Sequence, residues 1–267
     1  GADLNSGSFT LEYSEVYDAG SGSTRHPIYM QSDEIAYPGS IFRMRFNYVH
    51  NGRGGNLLKS RHERSEIHSN WFEGSVYQEI ELIGPDCETQ ASGWTRATRR
   101  EDAELVNNVI VHTSTTWPHA IRLGGDLNGA SDGRVRMVGN TIVFDRPGAA
   151  TAVYVQLGLG SVEMHNNAIF QTGGAAPAIL RENTTADAPV CAPFVTQPWS
   201  GARSVFGTRN WVQSTATFVP PEWTGTVTGG DPGFRDVVAR NFRPLATSPL
   251  RNAGSNRPPS PAAFPMP

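Results

Sequence analysis

Read for its apolar positions alone, the chain repeats one short pattern: an apolar residue, two further residues, an asparagine, any residue, and a second apolar residue. It occurs as Met44-Arg-Phe-Asn47-Tyr-Val49, Ile67-His-Ser-Asn70-Trp-Phe72, Leu105-Val-Asn-Asn108-Val-Ile110, Met137-Val-Gly-Asn140-Thr-Ile142 and Met164-His-Asn-Asn167-Ala-Ile169. A sixth copy, Leu11-Glu-Tyr-Ser14-Glu-Val16, carries serine in the asparagine position. The asparagines are 23, 38, 32 and 27 residues apart, which predicts a stack of like units with loops of varying length. An asparagine at an equivalent corner of each unit tolerates the left-handed conformation, and its amide can bond to the amides above and below.

A second short apolar run follows most copies, over His26 to Met30, Leu57 to Ser60, Glu79 to Leu82, Ala120 to Leu123, Ala152 to Val155 and Ala178 to Leu180. Strand side chains alternate, so Ile28, Leu58, Ile80, Ile121 and Val153 are expected in the core together. Their successors Tyr29, Lys59, Glu81, Arg122 and Tyr154 are then expected outward in one row, with Gln31, Arg61 and Gln156 in a second row beside it. The expected fold is all-β, a parallel β-helix (β-solenoid) with its coils over 1–185 and a loop-rich capping segment of the same domain over 186–267. Pro-rich and Gly-rich text dominates that segment, with one last coil expected around Asn210, and the tail NRPPSPAAFPMP is expected to be extended or disordered.

Composition narrows the partners more than the fold. The net charge of -3 and pI near 6.2 give no general attraction to nucleic acid or anionic membrane. No run of about 18 apolar residues is present to span a bilayer. The 28 glycines and 19 prolines, with only 18% charged residues, suit a turn-rich β protein. Cys87 and Cys191 are too distant for a metal knuckle, and leave open a disulfide or two buried thiols. The opening GADLNSGSF reads as a mature or trimmed form without its leader.

These repeats resemble the right-handed parallel β-helix proteins of the pectate-lyase-like superfamily. The segment GNLLKSR followed by SEIHSNWFEGS is similar to the Lys-Ser segment of the alginate lyase and chondroitinase B group of polysaccharide lyases. The closing segments GGDPGF and NFRPLATSPLRNAG resemble those of secreted bacterial β-helix proteins, which implies a secreted, periplasmic or cell-surface location. The resemblance implies that Lys59 is a general base, that an arginine on a neighbouring coil assists it, and that calcium neutralises the substrate carboxylate. Where the group shows Arg-His-Gly, this chain reads Glu81-Leu-Ile-Gly84-Pro85, so the arginine must come from Arg61 or Arg122.

An acidic, uronate-containing polysaccharide cleaved by β-elimination requires three things: an opposed carboxylate charge, removal of the C5 proton, and protonation of the leaving oxygen. Lys59 is the candidate base, with Arg61 and Arg64 nearby in sequence to lower its pKa. Arg61 or Arg122 is the candidate clamp and Tyr29 or His62 the candidate acid. Arg64, Tyr154, Gln31 and Gln156 are candidate substrate contacts, and Glu79 with Glu81 a candidate calcium pair. Trp71, Trp94 and Trp117 are further aromatics that can stack on sugars or pack in the core. The cluster His50, His62 and His68 lacks a zinc-binding spacing. The run from Arg96 to Glu104 reads as a solvated turn. Three other readings compete with the lyase. One is a solvated ladder that only stabilises the sheet; another is a non-catalytic β-helix that binds glycan or assembles with itself at a cell surface; the third is a glycoside hydrolase, for which only Glu79 and Glu81 are on offer.

Overall fold

A computed structural model describes residues 2–84, 101–126, 131–183, 197–256, 258 and 260. Among them there is no helix; strands stack into three long parallel sheets, as in a parallel β-helix. The first sheet orders Ala2–Ser6, Ile28–Ser32, Leu58–Arg61, Ile80–Ile83, His119–Gly124, Thr151–Gln156 and Ala178–Glu182. The second orders Phe9–Glu12, Ile41–Arg45, Arg64–His68, Asp102–Val106, Arg134–Val138, Ser161–His165 and Val205–Thr208. The third orders Glu15–Tyr17, Tyr48–His50, Trp71–Glu73, Val109–His112, Thr141–Phe144, Ala168–Gln171, Trp211–Gln213 and Val227–Gly229. Seven successive rungs thus give one strand to each sheet, and at the end of the third sheet the sequence neighbours Trp211–Gln213 and Val227–Gly229 pair directly.

The recurrent asparagine holds the rungs in register. Asn108 shows the full pattern: its Nδ2 donates to Asn140 Oδ1 at 3.0 Å and to the Ile67 carbonyl at 2.7 Å. Its Oδ1 accepts from Asn70 N at 2.9 Å and Asn70 Nδ2 at 3.1 Å. These four bonds use the whole capacity of the amide, so it can be buried without an orphaned polar atom. The ladder starts at Ser14, whose N–H donates to Asn47 Oδ1, and runs on through Asn167 to Asn210. The left-handed conformation expected of the asparagines belongs instead to the residue before each one. Tyr13, Phe46, Ser69, Asn107, Gly139, Asn166 and Arg209 have φ between 50° and 66°. The tight corner is thus made one residue earlier, leaving the asparagine free to turn its amide into the stack.

Alternation fills the core as the pattern predicts. Ile28, Leu58, Ile80, Ile121 and Val153 from the first sheet are buried with Phe42, Met44, Ile67 and Leu105 from the second and Val49, Phe72, Ile110 and Ile142 from the third. The parallel stacking does not stop at residue 185. Val205–Thr208, Trp211–Gln213 and Val227–Gly229 carry it on, and Trp199 and Trp223 join the same core.

Beyond this, the antiparallel pair Phe234–Asp236 and Asn241–Pro244 lies against the outer side of the third sheet. There Phe234 and Phe242 pack with Val111, Val143 and Trp71. Arg240 binds Glu73 at 2.8 Å and Asp145 at 2.7 Å. Further on, Arg136 of the second sheet donates to Ser260 Oγ at 3.1 Å and to the Pro258 carbonyl. Of the expected features, Cys87, Cys191, Trp94, residues 96–100 and the tail after 260 fall outside the described residues. The end of the Arg96 to Glu104 run is not a solvated turn: Glu101 is buried and Asp102 begins a strand of the second sheet.

Candidate functional site

The outer face of the first sheet carries the row of candidate side chains, and backbone pairing fixes their spacing. Tyr29 pairs with Lys59, Lys59 with Glu81, Glu81 with Arg122, Arg122 with Tyr154 and Tyr154 with Arg181. Each step is about 4.8 Å. The last member is missed when the run Ala178 to Leu180 is aligned with the run Ala152 to Val155 by first residues. The structure pairs Ala178 with Thr151 and Leu180 with Val153, and that one-residue shift exchanges the faces and puts Arg181 in the row.

Glu81 is the centre of the cluster and is buried. Its Oε1 accepts from Arg122 Nη1 at 2.8 Å, while its Oε2 accepts from Asn56 Nδ2 at 2.6 Å and lies 3.3 Å from Lys59 Nζ. A second carboxylate, Asp126, reaches in from the loop beyond the strand, 3.3 Å from Lys59 Nζ and 2.8 Å from Arg61 Nη2. The turn that brings it back depends on Gly124. Its φ is 101°, and a Cβ there would lie 2.1 Å from the Gln156 carbonyl oxygen. Three cations and two carboxylates therefore share one patch, with a surplus of one positive charge.

Two imidazoles flank the patch. Asn56 N donates to His26 Nδ1 at 2.9 Å, and the His26 ring stacks on Tyr29. Burial, with Lys59 beside it, pulls His26 down to about 4. His119 stacks on Tyr154 with centroids 4.3 Å apart, and burial with Arg122 takes it down to about 4. Both rings are neutral at pH 7 and present apolar faces beside the tyrosines.

Several candidates are not where the sequence suggested. Arg61 is 1% exposed, spent on Asp126 and the Gly84 carbonyl, so it is not free to clamp a substrate. Gln31 is buried and accepts from the Tyr29 hydroxyl at 2.8 Å. His62 is buried at the turn toward the second sheet, with its Nε2 3.3 Å from the Gly7 carbonyl and its pKa lowered by burial to about 4. Arg64 belongs to the second sheet, bound to Glu66 and Glu104. Neither His62 nor Arg64 can serve the row that holds Lys59. Gln156 lies on the first sheet, beside Gly124.

Glu79 and Glu81 do not form a calcium pair. Glu79 is wholly buried, its Oε1 taken by Ser75 Oγ at 2.6 Å and its Oε2 by His112 Nδ1 at 2.6 Å. With Glu81 engaged by Asn56, Lys59 and Arg122, every oxygen of the two is already satisfied, and they face different partners. Among the described residues no group of three or more His, Cys, Asp or Glu is arranged to hold a metal. His50, His68 and Trp71 also lie off the first sheet. His50 is stacked on Tyr48, His68 is on the second sheet near Glu104, and Trp71 stacks on Phe242. Trp117 is exposed at the turn before the His119–Gly124 strand, edge-on to Tyr77.

Asp126, Asn56 and His119 carried no periodic signal, and His26, which opens the run His26 to Met30, was not singled out. Each lies at a strand's end or in a turn, where the alternation that located Lys59 gives no direction. No protein-family model, curated protein or solved structure matches the chain.

Proposed function

We propose that the protein is a secreted right-handed parallel β-helix of the pectate-lyase-like kind that cleaves an acidic, uronate-containing polysaccharide by β-elimination. The observation that carries this reading is the row Tyr29, Lys59, Glu81, Arg122, Tyr154, Arg181, in which a lysine and an arginine are bridged by one carboxylate and bounded by tyrosines. A polymer lying along the stack meets these groups in sequence.

In this mechanism the substrate carboxylate exchanges places with Glu81 at Arg122, which opposes its charge and acidifies C5. Lys59, released from Asp126, takes the C5 proton. The electron pair left on C5 forms the C4–C5 double bond as the C4–O4 bond breaks, and Tyr29 donates its proton to the departing oxygen. Arg61 takes no part beyond holding Asp126. No step is assigned to calcium, because both Glu79 oxygens are taken by Ser75 and His112 and Glu79 does not face the row.

A second reading, non-catalytic glycan binding, is favoured by the mutual neutralisation of Lys59, Glu81 and Asp126. The two separate in one assay. Uronic-acid polymers are incubated with the protein and absorbance is followed near 235 nm, where the conjugated product absorbs. A rise that Lys59→Ala lowers at least about 100-fold, within the range expected for a general base, supports the lyase. Binding without any rise moves the assignment to the glycan-binding reading.

A further inference from the structure

At the far end of the row, a cavity of about 390 Å³ is lined by Leu180, Arg181, Glu182, Arg203, Phe218 and Pro220, with the Glu182 carboxylate paired to Arg203. It continues the outer face of the first sheet, because Thr217 pairs with Ala178 and Leu180 N donates to the Phe218 carbonyl. Phe218 is 58% exposed and takes a left-handed φ of 53°, a conformation unfavourable for a bulky residue. The Arg181 guanidinium lies 4.8 Å over the Phe218 ring. Arg203 is fully used by Glu182 and Glu222, and among the described residues no carboxylate forms an ion pair with Arg181.

We propose that Arg181 and Phe218 form a distal subsite for an anionic sugar unit of the polymer, resting on the reading of the first sheet as an acidic-polysaccharide face. Stacking on the ring fixes the plane of the guanidinium while leaving its edge donors free. That is the arrangement suited to a planar carboxylate taken in two parallel hydrogen bonds. The exposed remainder of the Phe218 ring offers an apolar platform to the sugar's C–H face. Four rungs separate Lys59 from Arg181, about 19 Å at ~4.8 Å each, so only an oligomer of several units reaches both. The subsite therefore selects for chain length.

The test is direct binding, measured by calorimetry with β-1,4-linked oligouronates of six and of two units. It uses the full-length protein and the variants Arg181→Ala, Arg181→Lys and Phe218→Ala. The expected result is a loss of at least tenfold in affinity for the six-unit ligand in both alanine variants, with less than twofold change for the two-unit ligand. Arg181→Lys keeps the charge without the flat fork and recovers only part of the loss. Equal losses for both lengths, or no loss for the longer one, overturn the subsite. A neutral six-unit oligosaccharide that binds as well as the oligouronate overturns the anionic assignment. Because binding is read apart from turnover, absence of any unsaturated product removes the lyase reading and leaves the subsite standing if the length dependence holds.

Discussion

The amide of Asn108 is used at all four positions, as are those of Asn70, Asn140 and Asn167, and this makes the interior asparagines the sensitive side chains of the ladder. Replacing Asn108 with alanine leaves the Asn70 donors, the Asn140 Oδ1 and the Ile67 carbonyl short of partners inside the stack. Each buried unmet group costs about 1–3 kcal/mol, so Asn108→Ala is expected to lower stability by about 3 kcal/mol or more in urea unfolding. Ser14, at the ladder's end and partly exposed, joins it through its backbone N–H, which survives loss of the side chain, while its hydroxyl makes only an exposed bond to the Glu12 carbonyl, so Ser14→Ala is expected to cost under about 1 kcal/mol. Equal costs at the two positions would mean that the ladder carries no special weight. At this scale the sequence was legible where a residue type recurred in phase. It was not legible for Arg61, whose charge suggested exposure, because the Gly84 and Asp126 groups that bury it come from the next two rungs but lie 23 and 65 residues further along the chain.

Elements tell a similar story with a different cause. Strand alternation gave the first-sheet row because Ile28, Leu58, Ile80 and Ile121 leave only one choice of face. It failed at Ala178–Glu182, where Ala178, Ile179 and Leu180 are all apolar and period two cannot be read. The late strands Val205–Thr208 and Trp211–Gln213 form the coil expected around Asn210, although Pro and Gly surround them. The antiparallel pair near the end depends on Arg240, whose pKa is raised, against the effect of burial, by Asp145 and Glu73. Arg240→Ala leaves those two carboxylates facing each other without a cation. Faster cleavage between residues 236 and 241 under limited proteolysis is expected, with the parallel stack intact by circular dichroism. Unchanged cleavage would assign the docking to Phe234 and Phe242 alone.

For the whole molecule, stability against pH sums groups whose shifts point in opposite directions. His26, His62 and His119 are held near 4 when folded, against about 6.5 unfolded. The unfolded chain therefore binds more protons between those values, and stability is lost as pH falls from about 6.5 towards 4. His112 is shifted the other way: burial lowers it, but the buried Glu79 carboxylate more than offsets that and raises it. Its contribution is complete below about 6.5 and disappears as pH rises through its folded value. Glu34, buried beside Glu101, is pushed up to about 11 and keeps its proton when folded, so its effect also declines with rising pH. Three histidines outweigh one carboxyl on the acid side, and nothing among these groups opposes the decline on the alkaline side. A stability maximum near pH 6.5 is expected from urea midpoints measured between pH 4 and 9. Glu34→Gln is expected to flatten the alkaline decline, and a variant that declines as steeply as the wild type would remove Glu34 from the account.

The ladder steps of 23 to 43 residues have one more consequence. Loops of very different length leave from the same stack without changing the distance between its rungs, so the walls beside the first sheet can be rebuilt while its floor keeps its dimensions. Replacing the connection between His112 and His119, or between Phe144 and Thr151, would reshape what a ligand meets above Arg122 and Tyr154 yet leave those two side chains one strand spacing apart. The chain is in this sense a ruled backing on which new recognition loops can be grafted, with the asparagines as its graduations.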